Sequence, residues 1–178
     1  MTKLASRYAQ ALYELSVSEK CEEQLLKELK TIQSLFEENP GLTPLLAQSQ
    51  VTKDQKKKLL DEIFGWAHPY ILNTLKLLVD KQRTQITVDC CKTYRELYND
   101  AHNIIQGIAY TTIPLSDSEL LALEKELSDK EAKTIQLVNR LDPTLVKGIK
   151  IRYGDKILDA SLKARIEGLR NSLIEGRS

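Results

Sequence analysis

Histidine, glycine, cysteine and large aromatics are all scarce in this chain. Its 178 residues include two histidines, seven glycines, three cysteines, one tryptophan and two phenylalanines. His68 and His102 fall in different predicted elements, with no cysteine or carboxylate at ligand spacing, so no metal site is assigned. The glycines build neither a GxxxxGKS/T phosphate loop nor a GxGxxG turn, and HExxH and GxSxG are missing too, so no cofactor or catalytic residue is assigned. Cys21, Cys90 and Cys91 are odd in number and unspaced, which fits a reducing compartment rather than a disulfide framework. Adjacent Cys90 and Cys91 read as two small, partly buried helix residues, because neighbours on a helix do not share a face. No apolar run approaches the ~20 residues of a membrane span, which excludes direct membrane insertion, and no secretory leader is visible. Charge of one sign is missing as well. Lysine plus arginine number 26 against 25 acidic residues, a net charge of +1, without the basic excess of a nucleic-acid binder.

What is present is periodic. Leu4, Tyr8, Ala11, Leu12 and Leu15 follow a helical stripe, and Leu25, Leu26, Leu29, Ile32, Leu35 and Phe36 follow a second. Asn39-Pro40-Gly41 ends the second helix, and a short helix is expected around Pro44–Gln48. Thr52 and Gln55 form a capping box before Leu59, Leu60, Ile63 and Phe64, with Gly65 as the stop. Pro69 suits the first turn of a helix carrying Ile71, Leu72, Leu75, Leu78 and Val79. A last long helix from about Thr84 turns Cys91, Tyr94, Tyr98, Ala101 and Ile105 inward, with Gly107 as terminator and a flexible joint expected near it. Connections this short favour a compact bundle. Lys56-Lys57-Lys58 reads as a solvated helix face.

After Gly107 the texture changes to a small α+β unit. Ile108, Tyr110 and Thr112 are β-like, Ser116 with Glu119 caps a helix, and Thr134–Leu141 has strand character. Ile149, Ile151 and Tyr153 alternate with Lys150 and Arg152; Gly154-Asp155 makes a turn, and Ile157 and Leu158 return. Asp159 then caps a helix with Leu162, Ile166, Leu169 and Leu173 on one face. Asp155 and Asp159 read as turn and cap residues rather than as an acid–base pair. The final Ile174-Glu175-Gly176-Arg177 matches a protease-site tag and equally reads as a natural end.

The spacing of Asp142, Pro143, Leu145, Gly148, Gly154, Asp155, Asp159 and Ser161 is less generic. It resembles the C-terminal signature of the delta subunit of F-type ATP synthase, the homologue of the mitochondrial oligomycin-sensitivity-conferring protein. At the other end, Arg7-Tyr8-Ala9-Gln10-Ala11-Leu12-Tyr13 is similar to that family's opening Arg-Tyr-Ala-x-Ala-Leu-aromatic. Three positions depart from the pattern: Lys147-Gly148 stands for a frequent Gly-Gly pair, Ser16 for a small Ala, and Ala160 for a frequent Gly.

The resemblance implies a mainly α protein, a six-helix bundle over residues 1–106 followed by a small α+β domain over 107–178. It implies a non-catalytic stator subunit without cofactor. The bundle would receive N-terminal segments of the alpha subunits between its first and fifth helices, with Ala5, Tyr8, Ala9, Leu12, Ile71, Leu75 and Leu78 as candidate contacts. The second domain would contact subunit b of the peripheral stalk. The expected location is peripheral to the plasma membrane on its cytoplasmic side, and the Met1 start favours a bacterial source. The alternative is a soluble helical adaptor that binds amphipathic peptides in another complex.

Overall fold

A computed structural model describes residues 2–145 and 148–159. The chain divides into two compact units, Met1–Asn99 and Asp100–Ser178. The first is helical: α1 (Lys3–Ser18), α2 (Glu22–Glu38), α3 (Leu42–Ala47), α4 (Lys53–Phe64), α5 (Pro69–Asp80), a 3-10 turn (Thr84–Ile86) and α6 (Thr87–Ala101). Local chemistry sets the starts. The Thr52 hydroxyl accepts from the Gln55 backbone N–H while the Gln55 side chain reaches back to the Thr52 N–H, a complete capping box. Pro69 opens α5, where His68 Nδ1 accepts from the Tyr70 N–H at 3.3 Å.

The core of this unit joins Leu25, Leu29, Ile32 and Phe36 of α2 to Leu60 and Phe64 of α4, Ile71 and Leu75 of α5, and Tyr94 of α6. Phe36 and Phe64 stack with centroids 5.7 Å apart, and Tyr13 meets Tyr94 edge-on at 5.5 Å. Ser16, one of the departures from the family pattern, has no exposed surface. The Tyr94 hydroxyl donates to Ser16 Oγ at 2.7 Å, and Ser16 Oγ donates to the Tyr13 carbonyl at 2.7 Å. The extra hydroxyl therefore satisfies a phenol in the middle of the core.

Four expectations need correction here. Leu15 is 39 % exposed, because Ser16, one position round the helix, takes the inward slot. Cys90 and Cys91 are both buried rather than partly so, since α6 is covered by neighbours on more than one side. Lys56 is buried along its stem and Lys57 pairs with Asp80 at 2.8 Å, which leaves Lys58 as the solvated member of the triplet. Finally, α6 stops at Ala101, so Ile105 is not a helix residue and Ala101 is exposed. The turn is made by Asn103 at φ 53°, a left-handed conformation that Asn tolerates.

The second unit contains β1 (Ile104–Thr111), α7 (Asp117–Glu131), β2 (Thr134–Leu141), β3 (Ile149–Tyr153) and β4 (Lys156–Asp159). The sheet order is β2-β1-β3-β4. β1 and β2 are parallel, joined by the α7 crossover; the other pairings are antiparallel. Period-two burial places Ala109, Ile135, Leu137, Ile151 and Tyr153 under Leu127 of α7. Ser116 and Glu119 form the second capping box. Two side chains of α7 reach edge strand β2: Ser128 Oγ accepts from the Ile135 N–H at 2.9 Å, and Glu124 Oε1 from the Leu137 N–H at 2.6 Å. Glu131 pairs with Lys156 at 2.6 Å and accepts from Tyr153 Oη at 3.1 Å, and these partners, Lys156 foremost, hold its carboxyl below the usual range.

Gly107 is not a helix terminator. It lies inside β1, where a Cβ would meet Leu137 Cδ2 at 2.7 Å, Tyr153 Cβ at 2.9 Å and the Arg152 carbonyl at 3.0 Å. Close approach of three strands requires the missing side chain. Gly107→Ala is therefore expected to cost about 1–3 kcal/mol by overpacking, and urea unfolding of the full chain with faster amide exchange across β1–β3 would register it. Burial pushes the Cys90 thiol up to about 12 and Cys91 higher still. Alkylation of the native chain at mildly alkaline pH should label half-exposed Cys21 and spare the α6 pair until unfolding. Burial likewise raises the Tyr94 hydroxyl from 10.0 to about 12. A raised pKa means stability that holds below pH 10.0 and is lost as pH climbs towards about 12. Tyr94→Phe should be less stable by about 1 kcal/mol at neutral pH yet lose less over that alkaline window; a steeper alkaline loss in the variant would contradict the assignment.

Candidate functional site

Ala5 packs with Leu78 and Ile86, while Leu12 lies beside Ile71 and Leu75, so α1 and α5 run in opposite directions against one another. Small residues make the approach close. Ala5 and Ala9 have no exposed surface, and Leu12, Ile71, Leu75 and Leu78 are buried. Six of the seven candidate contacts therefore hold the two helices together from inside. Tyr8 alone among them is half-exposed and faces the seam.

Above this seam lies an open groove of about 330 Å³, lined by Leu4, Arg7, Tyr8, Ala11, Leu77 and Arg83. Leu77 is 44 % exposed although it is a large aliphatic side chain. Arg83 Nη1 donates to Tyr8 Oη at 3.1 Å. The lining combines the apolar Leu4, Ala11 and Leu77 with the cationic Arg7 and Arg83, a composition suited to an amphipathic segment. Sequence reading missed Arg7, Leu77 and Arg83. A signal was available: Leu75, Leu77, Leu78 and Val79 supply one apolar residue more than a single buried stripe can hold.

Two larger clefts are also apolar. One, about 550 Å³, lies at the α2–α3 corner over Leu35, Pro40, Leu42, Leu45 and Ile63. The other, about 600 Å³, lies in the second unit between Ile113, Leu123 and Ile149. Three of their polar side chains are committed locally: Glu119 to the Ser116 cap, Thr111 to the Ile113 carbonyl, Asn39 to the Leu35 carbonyl. Among the described residues no group of three or more His, Cys, Asp or Glu side chains converges, and no helix is long and apolar enough to cross a membrane.

The C-terminal signature residues shape the chain. Asp142 Oδ1 accepts from the Thr144 N–H at 2.9 Å and its hydroxyl at 2.6 Å, closing a turn around Pro143 and holding the carboxyl below its usual range. Leu145 is buried after this turn. Gly148 and Gly154 adopt φ 108° and 52°, and Gly154 with Asp155 turns β3 into β4. Asp159 is the last residue of β4, opposite Lys150. Ser161, Lys147, Ala160 and the helix expected after Asp159 lie outside the described residues.

Residues 4–173 match the family described as ATP synthase delta (OSCP) subunit. The ATP synthase subunit delta of Alkaliphilus oremlandii (strain OhILAs) is 34% identical over 175 residues, covering 97% of both chains. That of Bacillus thuringiensis (strain Al Hakam) is 33% identical over 98% of this chain and 97% of its own. A chain in the cryo-EM structure of the Toxoplasma gondii mitochondrial ATP synthase hexamer shares the fold, with a TM-score of 0.68 at 18% identity over 97% of this chain and 98% of that one. Both end signatures fall within or beside the matched span, and the chain belongs to the ATP synthase delta (OSCP) subunit family.

Proposed function

We propose that the first unit grips the catalytic head of F-type ATP synthase by taking an alpha-subunit N-terminal segment into the α1/α5 groove, while the second unit holds subunit b of the peripheral stalk. The chain itself is a structural, non-catalytic subunit of that complex and associates with the membrane peripherally. We place it on the cytoplasmic face of a bacterial membrane. The mechanism is mechanical. Proton flow turns the central rotor, and the head would turn with it unless a second connection resisted the torque. One chain with two binding surfaces closes that connection.

The observation that supports the groove is its exposed apolar lining. Leu77 stands 44 % exposed beside Leu4 and Ala11, over a floor that α1 and α5 have already packed. Apolar contact suits a clamp that dissociates slowly, because it is not screened by salt as surface ion pairs are. The buried candidates Ala5, Ala9, Leu12, Ile71, Leu75 and Leu78 support the grip from beneath, by fixing the helix spacing on which the groove depends.

Calorimetry on the full chain with a synthetic alpha N-terminal segment tests this. Leu77→Asp should weaken binding at least about 10-fold, or ~1.4 kcal/mol, with little change in the unfolding midpoint because the site is exposed. Leu75→Ala should instead destabilise the bundle by about 2–5 kcal/mol. Unaltered affinity in Leu77→Asp, or failure of the chain to leave membranes with the ATPase head, would count against the reading.

A further inference from the structure

Arg7 and Arg83 both line the groove, and neither takes part in an ion pair among the described residues. Arg83 is half-buried, and its guanidinium is fixed by a neutral phenol, Tyr8, at 3.1 Å. Half-burying a cation without a counter-charge costs free energy that an arriving anion would recover. Four of the five described ion pairs in the molecule involve lysines of the first unit, and none of the five involves either arginine of the groove.

We infer that Arg7 and Arg83 form a carboxylate-reading site that fixes the register and direction of the segment bound in the groove. The occupant is an amphipathic segment whose apolar face lies on Leu4, Ala11 and Leu77 and whose acidic residue meets the two guanidiniums. Arginine suits the task, because its planar fork binds a carboxylate through two parallel N–H donors. Tyr8 is the positioning residue: its hydroxyl accepts one Arg83 N–H and leaves the others for the ligand. The apolar contact supplies grip, and the charge pair selects one alignment among the several that a smooth groove permits. This inference rests on the groove reading above.

Two probes separate the inferences: the alpha N-terminal segment, and the same peptide with every Asp and Glu replaced by Asn or Gln. Each is titrated against the full chain, Arg7→Gln, Arg83→Gln, the double variant, Arg83→Lys, and Lys58→Gln as a distant cation control. The expected result is at least 10-fold weaker binding of the acidic peptide to the double variant, a similar loss when the neutral peptide meets the unaltered chain, and no further loss when both changes are combined. Arg83→Lys should retain part of the affinity and Lys58→Gln all of it. Arg7 is exposed, so Arg7→Gln remains informative even if Arg83 changes perturb folding. Equal binding of both peptides, or an equal loss for both in the arginine variants, overturns carboxylate reading and leaves the groove intact. Binding of neither peptide to the unaltered chain overturns both.

Discussion

Ala5 and Ala9 have no accessible surface, and any larger residue there would displace α5 or the helices behind it. That steric limit sets the separation of α1 and α5. It also decides which residues are left outside: with the alanines turned inward, Leu4, Arg7, Tyr8 and Ala11 form one shoulder, and Leu77 faces them from α5. A wider spacing would open the core, and a closer one would bring the shoulders together. The groove is therefore a by-product of core packing, and its width is as rigid as the bundle beneath it.

Sequence and structure agree best where the cause is local. The Thr52–Gln55 and Ser116–Glu119 boxes, Pro69 at a helix start and the Gly154-Asp155 turn each need only a few adjacent residues, and each is formed. Agreement weakens where the answer depends on what lies across the fold. Periodicity identifies a buried stripe but not its edge, and a shift of one position exchanges Leu15 for Ser16. The same blindness affected the groove: the strongest apolar periodicity marks residues that are consumed by packing, so those free to meet a partner stand just beside it. Gly107 failed for a different reason. A glycine signals only a missing side chain, and whether that serves a turn or a tight crossing is settled by Leu137 and Tyr153, far away in sequence.

The two units handle polar groups in different ways. In the bundle, polarity is admitted singly and satisfied at once, as with Tyr94, Ser16 and the Tyr13 carbonyl. In the sheet unit, polar side chains act as fasteners between layers: Asn139 joins the Ala109 carbonyl and the Leu115 N–H, and Glu131 ties α7 to Tyr153 and Lys156. A small sheet with a single described helix above it buries little apolar area, so such fasteners carry a larger share of its cohesion.

The hydrogen bonds from Ile135 and Leu137 to Ser128 and Glu124 also govern association. On an outer strand, alternate N–H groups point away from the sheet and form a ready template for another extended chain. Here the helix lying over the strand has already claimed two of them. A newly made copy waiting for its place in a large assembly is thus guarded along that border against stacking on its own kind. At those two positions the backbone has no donor left to offer an added strand.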